Sequence, residues 1–478
     1  MWQCPICEEK YESLCVCTRC GFDGSCDYET FATAFAVTGA RSICALQKEW
    51  KKKQGPQTAQ EWYQKAQKEN DMASYAKAAE LGYAPAQVQM GYYYFFGINA
   101  AKDHVQAADW YQRAAEQGDA KAQNDLGECY YYGQGVPQDL AKAVMWYYRS
   151  AEQGNAAAQY HLGRCYYEGR GVPRDHAQAA EWYQKAAEQG NAEAQYHLGC
   201  CYYKGRCVPC DYERAAEWFR KAAGQGYAMA QYDLANCFYY GKGIPQDHGE
   251  AARLFHKAAA QGIAAAQDRL GFCYSQGHGV PQDYAQAADW YQKAAQQGYA
   301  MAQDHLGDCY YNGRGVSQDH VQAVNWYRRA AEQGSASAQY SLGCCYNKGT
   351  GVPQDYVQAV EWYRKAAMRG YGKAQNDLGS CYYYGHGVPQ DYTTAAELFR
   401  KAAMKGIAAA QNGLGDCYRK GQAVAQDYTQ AAIWYRKAAE QGDKSAQESL
   451  SWCYRWGKGV AIDWKQAKSW ADKAKERP

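Results

Sequence analysis

No window of this chain supplies the roughly 18 consecutive apolar residues that a membrane-spanning helix requires, and the N-terminal "MWQCPICEEKYESLC" carries acids and cysteines where a secretory signal needs a basic start and an apolar run. These two absences lead us to expect a cytoplasmic protein. Net charge is also nearly missing, at +2 with a pI near 7.7, so there is no whole-chain basic field to draw nucleic acid or anionic lipid. Such partners would need a local patch. The sequence holds no glycine-rich phosphate loop, no zinc-protease helix and no Gly-x-Ser-x-Gly elbow. No catalytic set converges, and no enzyme is expected.

What the chain does have is a period. The dipeptide Ala-Gln recurs with its Gln at 87, 123, 159, 195, 231, 267, 303, 339, 375, 411 and 447, always 36 residues apart, so that eleven units tile residues 83–478. In the unit 119–154, "DAKAQNDLGECYYYGQGVPQDLAKAVMWYYRSAEQG", Ala122, Leu126, Tyr130 and Gly133 are spaced as one face of a helix that Asp119 can cap. Gly135, suited to positive φ, and Pro137 then break the helix, and Asp139 caps a second one with a packing stripe of Ala143, Tyr147 and Ala151. Each unit therefore reads as a helical hairpin. A hairpin cannot cover its own stripe, so the units must stack.

The pattern Ala-Gln-x-x-Leu-Gly-x-x-Tyr-x-x-Gly-x-Gly-Val-x-x-Asp-x-x-x-Ala-x-x-Trp-Tyr-x-Lys-Ala-Ala resembles the Sel-one-like repeat (SLR), a relative of the tetratricopeptide repeat. The resemblance implies an all-α, right-handed superhelix of αα hairpins that holds other proteins together, its first helices lining the concave side. Asn99, Cys207 and Ala423 depart from it by replacing the second loop glycine, where only Asn tolerates positive φ well. Residues 27–82 read as a linker and helical cap, with helices over 40–53 and 58–70 and a second-helix match over 72–82.

The cysteines sort into three groups. Ten recur once per unit, from Cys129 to Cys453, seven residues after the Ala of Ala-Gln, where a free thiol serves as a small apolar side chain. Some cysteine-rich SLR relatives carry a disulfide in each unit, but the matching second positions here are Ala, which points to reduced thiols. In residues 1–26, Cys4-x2-Cys7 and Cys17-x2-Cys20 have the spacing of two knuckles gripping a tetrahedral ion. They resemble a zinc ribbon with structural Zn2+; Cys15 could replace Cys17, and a redox thiol cluster is the alternative. The basic run Lys48, Lys51, Lys52 and Lys53 reads as a solvated helix face. Cys207 and Cys210, peculiar to the fourth unit, read as drift in a tolerant loop, with a metal or redox role as the rival.

Counted from the Ala of Ala-Gln as zero, offsets 0, 4, 8 and 11 should form the core face, and offsets 2, 3, 6, 9 and 10 the inner lane. Offsets 2, 3 and 6 of units two to eleven are acidic, with Asp125, Glu128, Asp233, Asp268, Asp304, Asp308, Asp377, Asp416 and Glu448 against Arg164 and Arg269. A column at offset 9 (Tyr131, Tyr167, Tyr203, Tyr239, Tyr311, Tyr383) offers contact area for a peptide or, equally, packing between helices. His161, His197 and His305 stand in the lane at offset 3 as partner-binding candidates, the first two read as solvated polar positions rather than metal ligands, and Trp452 with Trp456 reads as an end anchor or a terminal cover. The expected function is a scaffold binding a protein or peptide, of basic character, in the concave groove. The alternatives are a zinc-ribbon regulator associated with nucleic acid, or a weak hydrolase, since some relatives are said to open β-lactams.

Overall fold

The computed structural model describes two short strands, Trp2–Gln3 and Lys10–Tyr11, and residues 58–475. Cys4, Cys7, Cys15, Cys17 and Cys20, the basic run and the expected helix over 40–53 lie outside the described residues. The strands pair antiparallel, Trp2 opposite Tyr11 and Gln3 opposite Lys10. Everything else described is helical, in twenty-four helices. None of these is long and apolar enough to cross a membrane. The chain divides into two compact bodies, residues 1–218 and 219–478, and the division falls inside the second helix of the fourth unit.

The cap is helical where expected. Thr58 and Glu61 form a reciprocal capping box at the start of Ala59–Glu69, and Asp71 caps Met72–Glu80. In the first body, unit two shows the hairpin: Ala120–Tyr132, then Leu140–Glu152. The Asp119 carboxylate accepts from the Ala122 N–H at 2.8 Å, and Asp139 accepts from the Lys142 N–H at 3.0 Å. The Asp139 N–H also donates to the Tyr130 carbonyl, which ties the loop to the helix it follows. In the second body the same device recurs at Asp319, which accepts from Val321 and Gln322 ahead of His320–Glu332. The Trp-Tyr-x-Lys signature has a local cause as well. The cation three residues on lies over the indole, 3.9 Å from it for Lys185 and Trp182 and 3.8 Å for Lys365 and Trp362.

The core face is wider than the spacing suggests, because each first helix is packed from both sides. In unit two, Ala122, Gln123, Leu126, Gly127 and Cys129 are buried, whereas Tyr130 is half-buried and Gly133 has left the helix to cap it at φ 69°. Offset 7 therefore belongs to the core, and offset 11 does not. Glycine at offset 5 is steric: a Cβ on Gly127 would stand 2.7 Å from the ring of Tyr147, itself wholly buried. Gly135 is doubly constrained, by φ 77° and by the His104 carbonyl of the preceding unit, with which a Cβ would collide.

The ten periodic cysteines are buried and free. Burial pushes the thiol of Cys129 up to about 12 and that of Cys165 up to about 11. Of the loops lacking the second glycine, Asn99 and Ala423 adopt φ 58° and 64°, so the Ala423 loop holds a strained residue. The fourth loop rearranges instead. Cys207 avoids positive φ and turns its Sγ to within 2.9 Å of the Cys201 Sγ. Cys210 stands where Gln138, Gln246 and Gln282 donate to a first-helix carbonyl at 2.8 Å; its Sγ makes only a 3.6 Å contact with the Tyr203 carbonyl. Converting Cys207→Gly and Cys210→Gln together is therefore expected to stabilise the fold by about 1–2 kcal/mol in urea unfolding. A loss of stability would show that the sulfur pair contributes more than the loop it displaces.

Candidate protein-interaction surface

On an ideal helix, with offset 0 at the zero mark, the buried positions 0, 1, 4, 5 and 7 span about 160°, and offset 9 sits near the edge of that arc. Offsets 3, 6 and 10 fall on the open side, and offset 2, buried as Asn124, Asp268 and Asp304, lies with offset 9 at the edge of the packed arc. Offsets 3 and 6 are only half open, because first helices of successive units pair their polar groups there.

The histidines are the clearest case. His161 stacks on Tyr147 of the preceding unit at 5.1 Å and places Nε2 3.0 Å from Glu128. His197 stacks on Tyr183 at 5.4 Å; burial, with Arg164 and Lys204 nearby, lowers its pKa to about 4. Burial alone would also lower His305, but its 2.7 Å bond to the buried Asp268 and the charges of Asp304 and Asp308 raise it. These side chains form a seam between units and are not the solvated positions that spacing suggested. Among the described residues no three His, Cys, Asp or Glu side chains converge on a metal position.

Most of the acids are hydrogen-bonded within the stack, across units or within one. Asp308 and Asp416 each accept from a tyrosine hydroxyl of their own unit at 2.6 Å, from Tyr327 and Tyr435, and Asp377 accepts from Tyr340 of the preceding unit at 3.1 Å. Burial raises Asp125 and Asp304 to about 6, and Ser337 donates to Asp304. Asp233 and Arg269 are half-buried, the latter among Tyr232, Tyr240 and Asp268.

The tyrosines at offset 9 pack. Tyr131 and Tyr383 are buried, and Tyr167, Tyr203, Tyr239 and Tyr311 are half-buried against the first residue of the following helix, His176, Tyr212, His248 and His320. The aromatics open to solvent stand one residue later. Phe96 and Tyr132 in the first body, and Tyr240, Tyr384 and Trp456 in the second, are all about half exposed. Spacing alone could have found this column, since offset 10 points near the middle of the open arc. Trp452 is partly covered by Tyr428 and the Arg419 guanidinium, so it separates from the exposed Trp456.

None of the curated proteins compared matches this chain. Among solved structures, a protective antigen of uropathogenic Escherichia coli that displays an SLR fold is 41% identical, with a TM-score of 0.76 over 84% of this chain and 86% of its own. A Sel1 repeat protein from Oxalobacter formigenes is 37% identical, with a TM-score of 0.51 over 64% of this chain and 89% of its own. The Sel1 repeat matches residues 51–71 and then eleven consecutive blocks from 84–119 to 444–477, adding one partial repeat ahead of the eleven counted from Ala-Gln. With the hairpin geometry and these matches together, the chain belongs to the Sel1 repeat family.

Proposed function

We propose that this repeat protein is a scaffold that holds a partner polypeptide of basic or amphipathic character on the open arc of the first helices within each body. The observation that carries the reading is the offset-10 column. Phe96, Tyr132, Tyr240, Tyr384 and Trp456 repeat a large, half-exposed ring at one offset of the first helices, in line with the period of the array. Such rings supply contact area at low entropic cost.

Electrostatics favour a basic partner. A neutral donor leaves the charge of a carboxylate uncompensated, and Asp308 and Asp377 have tyrosine donors, whereas Asp416 is also paired with Arg419. Asp125 and Asp304, with pKa values about 6, remain mostly ionised at neutral pH. Attraction should weaken in high salt and as the pH falls through about 6.

The test uses a partner captured by the full chain. Changing Tyr132, Tyr240 and Tyr384 together to Ser leaves the packed arc intact and is expected to weaken binding about tenfold or more. Unchanged affinity with an unchanged salt dependence would move the binding site off this face.

A further inference from the structure

The second body breaks the offset-9 column at Ser275, Asn347, Arg419 and Arg455, and Ser275 is the smallest of these replacements. Where the tyrosine is kept, as in Tyr239 and Tyr383, it fills a slot with three walls: the first residue of the following helix, an aromatic of that helix, and a group 39 residues later. Tyr239 packs on His248 and Phe255, and its hydroxyl meets His278 Nδ1 at 2.7 Å. Tyr383 packs on Tyr392 and Phe399 and bonds Gln422. In the sixth unit the position is Ser275, and the three corresponding residues, Tyr284, Tyr291 and Arg314, remain. All three line a cavity of about 250 Å³, closed further by Phe272, His305 and Asp308. The missing tyrosine ring is the hole.

We infer that this cavity is a socket for a tyrosine side chain of the partner polypeptide. The volume lies below the roughly 300–1,000 Å³ of sites for drug-sized molecules, which suits a single side chain. Its entrance is open, since Tyr284, Asp308 and Arg314 are exposed. The chain's own tyrosines supply the template. An incoming ring would lie against Tyr284 and Tyr291 as Tyr239 lies against His248 and Phe255, and its hydroxyl would accept from the Arg314 guanidinium. In the first body Arg170 donates to the Tyr131 hydroxyl at 2.9 Å from the same relative position. Arg314 is held over the Tyr284 ring, 5.7 Å from its centre. Phenylalanine would fill the walls and leave that donor unused.

The inference rests on the scaffold reading for its partner, so the experiment separates the two. N-acetyl-tyrosinamide is titrated into the full chain by ligand-observed NMR. Saturable binding is expected in the parent, reduced about tenfold or more in Ser275→Tyr, which fills the socket with the ring that Tyr239 and Tyr383 supply in their units and should fold at least as well. Arg314→Gln should abolish the preference for tyrosinamide over phenylalaninamide. Equal binding by parent and Ser275→Tyr, or none in either at about 10 mM, overturns the socket. If Ser275→Tyr retains the captured partner while the offset-10 variant loses it, the scaffold stands and the socket falls. If the probe behaves as expected and no partner depends on the offset-10 rings, the socket stands and the scaffold reading falls.

Discussion

Exchanging Gln267 for Leu is expected to lower the unfolding free energy by about 2 kcal/mol, although the two side chains are close in size. The Gln of Ala-Gln is buried in every unit, 4–7% exposed, and it bridges elements that apolar packing alone would leave free to slide. Gln267 Nε2 donates to the Ala259 carbonyl of the preceding unit at 3.1 Å. Its Oε1 accepts from Gln297 Nε2, at the end of its own unit's second helix, at 2.8 Å. Leu would break both bonds. Since a stacked array is coupled only through neighbours, the loss should fall on one interface and broaden the urea transition of the second body.

The chain contains its own control for that prediction. Eight units end their second helix in Gln, but the eighth has Arg369 and the ninth Lys405, and the buried Gln339 and Gln375 Oε1 atoms are left without a partner. Gln375→Leu removes only the bond to the Ala367 carbonyl, at 3.2 Å, and should cost about half as much. Lys405→Gln should restore the relay and stabilise by about 1 kcal/mol. Equal losses at Gln267 and Gln375 would mean that the relay is not what keeps this glutamine buried.

That role was not legible in the period, although the same glutamines define it. Hydrophobic spacing places hairpins, caps and breaks because each answers to a local rule: Asp139 caps, Gly133 and Gly135 take positive φ, and Tyr147 fills the stripe. A buried polar residue answers to a partner about 30 positions away, which no local window contains. The same limit explains the misplaced lane. Offsets 0, 4, 8 and 11 describe a helix packed on one side, whereas a first helix in a stack is packed on two. The buried arc widens past offset 9, and the tyrosines there become structural. His161 and His197 likewise looked solvated because their stacking partners, Tyr147 and Tyr183, belong to the unit before.

Cys4→Ala is expected to reduce bound zinc from one ion per chain to none. We propose that Cys4, Cys7, Cys17 and Cys20 hold this ion, because each Cys-x2-Cys can present two thiolates to one side of a tetrahedron. The antiparallel pairing of Trp2–Gln3 with Lys10–Tyr11 supports the first pair, since residues 4–9, with Cys4 and Cys7 among them, connect those strands. A small module closed by such a site draws roughly 10 kcal/mol or more of its folding free energy from the metal. Chelation should therefore open residues 1–26 to protease while the far-UV ellipticity of the helical array stays constant, because the array's stability comes from its stacked cores. Cys15→Ala should retain zinc and Cys17→Ala should lose it; the reverse result would exchange those two ligands without removing the site. Equal zinc in the parent and in Cys4→Ala would end the proposal, leaving four clustered thiols whose chemistry would then be sought in oxidation rather than in metal binding.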